Sequence, residues 1–176
     1  MISDQTYLNW QKKIAVNTFF GRFWVFWGIY VTGLLFATGG CLLFFEVGRQ
    51  AVAAALATYV LARLIVCEII YALYKKPRPA QRLNFHPPES KIFISWVDKR
   101  LDSFPSSHSA SLAAISLAFY FYFPALGLVW FIFTILNGLA RIVLGYHEVI
   151  DVLAGWAIGL VSGLIITLWL APLLFT

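Results

Sequence analysis

Five long apolar runs constrain this chain more than any other feature, at about 23–45, 51–74, 107–123, 125–144 and 149–172. A helix needs about 20 mainly apolar residues to cross about 30 Å of hydrocarbon, and the run at 107–123 is short by that measure. Backbone groups in lipid must find partners within their own segment, so runs of this length fold as helices. The short alternating segments of a transmembrane barrel are not seen. Composition agrees: 61% of residues are hydrophobic and only 12% charged, too few for the surface of a soluble domain. The expected fold is therefore all-α, a multi-pass transmembrane bundle of five spans in a single domain over 1–176. The aromatic share of 18% suits rings at the membrane–water boundary.

The connections sharpen this reading. A short link at 46–50 and the Phe123-Pro124 break separate neighbouring runs, whereas 75–106 is long and carries five of the seven prolines. In the N-terminal arm, 1–21, Tyr7, Trp10 and Ile14 repeat at helical spacing, away from Lys12 and Lys13, which predicts an interfacial helix. Phe93, Trp96, Val97 and Leu101 do the same in the long connection. Lys12 and Lys13 interrupt the first 20 residues, and the first apolar run is too long for a cleaved signal, so it is expected to stay as a span. Five crossings put the arm, the long connection and the region 141–151 on one face.

Three polar clusters fall on that face. Tyr74-Lys75-Lys76-Pro77-Arg78-Pro79 ends the second run, and its prolines stiffen a turn that holds Arg78, whose guanidinium can grip phosphate with two parallel hydrogen bonds. Phe104-Pro105-Ser106-Ser107-His108-Ser109 opens the third run, where small hydroxyl residues suit a helix N-cap and a helix N-terminus attracts anions. Arg141, His147 and Asp151 join the fourth and fifth runs in the pattern R-x5-H-x3-D. If the fifth helix begins at or before His147, that histidine and Asp151 share a face and can hydrogen bond. A carboxylate on one imidazole nitrogen leaves the other as a nucleophile. Together the clusters supply an anion cradle, a nucleophile and an acid.

In order along the chain, R-P, P-S-x-H and R-x5-H-x3-D resemble the type 2 phosphatidic acid phosphatase family, whose fold is shared with vanadium haloperoxidases and glucose-6-phosphatase. The resemblance implies a membrane phosphatase acting on a lipid phosphate or pyrophosphate, of the undecaprenyl pyrophosphate, phosphatidic acid or phosphatidylglycerol phosphate type. It implies His147 as nucleophile, Asp151 as its orienting group, and His108 as general acid and then base. Arg78 and Arg141, with Ser106 and Ser107, would hold the phosphoryl oxygens. No cofactor and no metal is implied, and no residues have metal-ligand spacing. The chain departs from the family pattern at Tyr71, where a lysine is usual, at Ser107, usually glycine, and at Ala140, usually serine. Lys75 or Lys76 is the expected replacement for the missing lysine. Two rival readings share these residues: a lipid phosphotransferase, and a non-catalytic protein that binds or transports lipid headgroups.

The remaining charges bear on partners and orientation. A net charge of +5 in so hydrophobic a chain points to lipid headgroups and an anionic lipid substrate, not nucleic acid. Lys12, Lys13, Arg22 and the basic connection share the site's face while Arg49 alone flanks the other, which favours a cytoplasmic site in the cell membrane. Many bacterial members of the resembled family place it outside. Arg63 and Glu68 lie within the second run, and their spacing of five predicts partners on other helices. Gly155, Gly159 and Gly163 form a small-residue face suited to close packing within the bundle. Cys41 and Cys67 read as buried apolar residues.

Overall fold

The computed structural model describes residues 2–15, 18–86 and 102–170, and these form seven helices with no strand. They are α1 (Asp4–Ala15), α2 (Phe19–Leu42), α3 (Glu46–Leu73), the short α4 (Pro79–Arg82), α5 (Ser107–Tyr122), α6 (Pro124–Val143) and α7 (Val149–Trp169). Of these, α2, α3, α6 and α7 are long and apolar enough to cross a membrane. The structure is an all-α membrane helical bundle.

The helix ends follow local chemistry. Thr18 caps α2 by accepting a hydrogen bond from the Gly21 amide at 3.2 Å. Proline at the first position opens α4 and α6, where its missing N–H costs nothing. The expected link at 46–50 is instead the first turn of α3. Glu46 suits that position because a carboxylate favours a helix N-terminus. Gly48 fits there because a Cβ would come within 2.0 Å of the Leu42 carbonyl oxygen. The chain reverses in the three residues before Glu46.

At 16 residues, α5 spans about 24 Å, shorter than its neighbours. It is the centre of the bundle, with Ala110, Ala113, Ala114 and Ala118 all buried. Small side chains let α7 approach closely. A Cβ on Gly155 would lie 2.4 Å from the Ser106 carbonyl oxygen, and one on Gly159 would lie 2.3 Å from that of Ala110. The glycine face thus packs inside the bundle, as its spacing predicts. Ser116 and Thr134 join α5 to α6 through a hydroxyl pair at 2.9 Å. The N-terminal α1 packs its predicted face onto the bundle: Tyr7 is buried against Ile142 and Val152, with Trp10 beside it.

Three helices contain π-helical stretches, at Phe26–Tyr30 in α2, Val60–Cys67 in α3 and Ile166–Leu170 at the end of α7. The one in α3 overturns a sequence expectation. Arg63 and Glu68 pair with each other, because the wider π turn brings residues five apart onto one face. Cys67 is buried as expected, but Cys41 is exposed near the far end of α2. The expected helix around Phe93 and Trp96, and the end of the fifth run, lie outside the described residues.

Candidate active site

Backbone hydrogen bonds gather the three clusters at one end of the bundle. The Ala80 amide, in α4, donates to the Gly145 carbonyl at 3.0 Å. The Ser103 amide donates to the Lys76 carbonyl at 3.0 Å, and the Ser106 amide to the Asp151 carbonyl at 2.8 Å. Gly145 has a φ of +78°, and Phe85 occupies the space where its Cβ would lie, 2.4 Å from the ring. Only glycine fits that turn without strain. The loop that carries His147 is therefore held by α4 on one side and by the segment before α5 on the other. The N-terminal helix reaches the same end, through Gln11 to the Val143 carbonyl at 3.3 Å and Asp4 to Arg82 at 2.8 Å.

His147 is almost fully buried. Its Nδ1 lies 2.8 Å from the Ser103 carbonyl oxygen. A carbonyl can only accept, so Nδ1 carries the proton and Nε2 keeps its lone pair. Burial, with the Arg141 and Arg78 guanidiniums, holds the His147 imidazole well below its ordinary value, so the ring is neutral near pH 7.

Asp151 does not hold His147 in the way the helical spacing predicts. Helix α7 begins at Val149, with Glu148 as its cap, so His147 precedes the helix. The Asp151 carboxylate stays 4.0 Å from His147 Nδ1. It accepts instead from the Ser103 hydroxyl at 2.7 Å and the Glu148 amide at 2.8 Å. Ser103 therefore stands between acid and imidazole, orienting one with its carbonyl and binding the other with its hydroxyl. Sequence reasoning missed this residue, because a backbone acceptor leaves no trace in side-chain identity.

Both lysines expected to replace the missing family lysine turn to carboxylates. Lys75 is half-exposed and pairs with Asp102 at 3.0 Å. Lys76 reaches Asp151 at 2.6 Å and Glu148 at 3.0 Å. Burial works against the Lys76 charge, but these two hydrogen-bonded carboxylates outweigh it and raise its pKa. It thereby compensates the fully buried Asp151 charge. Tyr71, at the departing position, is buried and donates its hydroxyl to the Pro105 carbonyl at 2.7 Å.

His108 occupies the first turn of α5. Arg141 Nη2 lies 3.4 Å from its Nδ1. Guanidinium can only donate, so His108 Nδ1 accepts and the proton sits on Nε2. The Arg141 guanidinium is itself stacked on the Tyr146 ring, 4.0 Å from its centroid. Arg78 and Arg141 are both buried at this end of the bundle. Ser106, expected to contact phosphate, is committed elsewhere: its amide goes to Asp151 and its hydroxyl takes hydrogen bonds from Ser109 Oγ at 2.9 Å and Ser109 N at 3.5 Å. The amides of Ser107 and His108 are the ones that helix geometry leaves for an anion.

The arrangement combines a neutral imidazole with a lone pair at Nε2, a second imidazole with a proton on Nε2, two buried guanidiniums and a helix N-terminus. It can bind a tetrahedral anion and attack it, and the second imidazole, once it takes up a further proton, can protonate a departing oxygen. The chain is 31% identical to undecaprenyl-diphosphatase BcrC of Bacillus subtilis (strain 168) over 104 residues, 58% of this chain and 50% of that protein. It is 29% identical to bacitracin transport permease protein BcrC of Bacillus licheniformis over 124 residues, 70% of this chain and 57% of that one. The chain thus spans about half the length of these relatives. No solved structure gives a significant match. The family profile of the PAP2 superfamily matches residues 52–174, a stretch that takes in all three clusters and the helices that hold them. By that match the chain belongs to the PAP2 superfamily.

Proposed function

We propose that this protein is a membrane phosphatase that removes a phosphate from a lipid phosphate or diphosphate through a phosphohistidine on His147. The observation that carries the reading is the pair of opposite tautomers. His147 presents a lone pair at Nε2, and His108 presents a proton at Nε2. In the first step His147 Nε2 bonds to phosphorus and the bond to the leaving oxygen breaks. His108, charged to imidazolium by a proton taken up from solvent with the anionic substrate, gives that oxygen a proton and returns to the neutral ring. In the second, His108 takes a proton from water, the resulting hydroxide attacks phosphorus, and inorganic phosphate leaves His147. Arg78, Arg141 and the first amides of α5 offset charge on the phosphoryl oxygens, where fixed donors contribute most.

This charge balance needs no metal ion, so turnover should be unchanged in excess chelator; loss of turnover that added divalent cation restores would contradict it. The name of the Bacillus subtilis relative favours a polyprenyl diphosphate as substrate. The permease name of the other relative has no counterpart in this site's geometry, whereas the two poised imidazoles favour hydrolysis. Incubation of the purified protein with a polyprenyl diphosphate should release inorganic phosphate. Release only in the presence of an acceptor alcohol, with phosphate appearing on that alcohol, would favour the transferase.

The charge pattern favours a cytoplasmic site, with Lys12, Lys13 and Arg22 at the site end of the bundle. Cys41 is a native reporter of that orientation, because it is exposed near the opposite end of α2. A membrane-impermeant thiol reagent should label it in intact cells. Labelling only after the membrane is opened would mean that the site faces outward.

A further inference from the structure

Arg63 and Glu68 are the charges the site description leaves unexplained. They sit in the second half of α3, within its π-helical stretch and beside it, where ionisable groups are costly and tend to serve function. The pair is open, with side-chain exposures of 20% and 37%. Its setting points toward the site. The Arg63 guanidinium lies 6.0 Å from the Tyr71 ring centroid. The Tyr71 hydroxyl donates to the Pro105 carbonyl, immediately before the Ser106 cap of α5. The charge of Arg63 is one of three guanidinium charges felt at His108, with Arg141 and Arg78.

Three further observations narrow the role. Tyr71 stands where the family usually has a cation, and Lys75 and Lys76 are both taken by carboxylates. Arg63 precedes Tyr71 by eight residues, so its backbone lies roughly 10 Å deeper along α3 than the polar end. That is the direction in which a lipid's tail must leave the site. An apolar groove of about 300 Å³ opens between the same π-helical stretch and α7, lined by Leu61, Val66, Ile158 and Val161 among others.

We propose that Arg63 binds the lipid-proximal phosphate of a diphosphate substrate, making it the residue that selects lipid diphosphates over lipid monophosphates. This rests on the hydrolase reading above. If His147 attacks the terminal phosphorus and His108 protonates the bridging oxygen, the departing lipid monophosphate lies on the His108 side. Arg63 there offsets a charge that a monophosphate substrate does not carry. Glu68 holds the guanidinium until substrate arrives.

The test compares kcat/KM on a polyprenyl diphosphate and on the monophosphate of the same tail, in detergent. Arg63→Gln should lower the diphosphate value roughly 10- to 100-fold, the range for a lost charge-assisted hydrogen bond, while the monophosphate value changes less than about 3-fold. Arg63→Lys should recover part of the loss. Glu68→Gln, which releases the guanidinium, should lower KM for the diphosphate. Where the monophosphate is not turned over, inhibition by a lipid phosphonate and a lipid methylenediphosphonate gives the same comparison. Equal losses on both lipids in Arg63→Gln, or a loss on neither, overturn the assignment. A wild-type protein that hydrolyses neither lipid overturns the parent reading and this one with it.

Discussion

The two histidines of this site are the same side chain in opposite settings. His147 lies in the loop before α7, locked by a 2.8 Å bond to a backbone carbonyl, with Ser103, Asp151, Lys76 and Glu148 in contact behind it. His108 lies on the first turn of α5 and, among the described residues, is held by a longer contact of 3.4 Å to the side chain of Arg141. The difference matches what each must do. A nucleophile works from one fixed line of attack, and small misplacement is costly. An acid that becomes a base must serve a leaving oxygen first and a water later. The bundle anchors one ring to the backbone and the other to a side chain, that of Arg141.

The comparison can be broken by removing each side in turn. Substituting His147→Ala should have the largest effect, a loss of at least about 10⁴-fold in kcat, as for the removal of other covalent nucleophiles. Steady-state phosphate release checks it, and appreciable residual turnover would count against a covalent step. His108→Ala should cost about 10³-fold on a lipid substrate, within the range for general acids. On an aryl phosphate with an acidic phenol the loss in kcat/KM, which reports the phosphorylation step alone, should shrink, because that oxygen departs without a proton. Equal losses on both substrates would contradict the acid role. Asp151→Asn should cost roughly 10²- to 10³-fold, what a charge 4.0 Å from the imidazole contributes at intermediate dielectric. Ser103→Ala, which keeps the carbonyl and removes the hydroxyl, should cost less than Asp151→Asn; the reverse order would mean that Asp151 does not act on the ring.

Acidity sharpens the contrast from the His147 side. This ring attacks as the neutral form, and its pKa in the folded protein lies below the ordinary 6.5. Lowering the pH through 6.5 should therefore leave the acid limb of kcat/KM flat, with a fall only at lower pH. An acid limb centred at or above that value would show an imidazole that is not shielded. The smallest effect on chemistry is expected from Gly159→Ala. It forces α5 and α7 apart, because the added Cβ would meet the Ala110 carbonyl at 2.3 Å. Overpacking of this kind costs about 1–3 kcal/mol, read as a lower melting temperature with kcat largely kept.

Much of this molecule was legible in its residues, and the limits have physical causes. Apolar run length gave the helices, and proline and serine marked where α4, α5 and α6 begin. The motif residues Arg78, His108, Arg141, His147 and Asp151 do assemble at one end, because covalent order fixes which helix ends share a face. Contacts made through the backbone were hidden: nothing in the identity of Ser103 announces that its carbonyl faces His147. Helix register was hidden too. Arg63 and Glu68 look mismatched at a spacing of five until a π turn aligns them. Lys76 reads as a phosphate ligand in sequence, but a fully buried Asp151 needs a countercharge, and Lys76 is near enough to provide it.

Rapid quenching of the protein with a polyprenyl diphosphate labelled in its terminal phosphate tests the account most directly. His147 should carry an acid-labile, alkali-stable phosphoryl group on Nε2. In His108→Ala, supplied with an aryl phosphate labelled in its phosphoryl group, the label should accumulate for want of a base to activate water. Full turnover with no label on His147 at any quench time, or label on a different side chain, would contradict it.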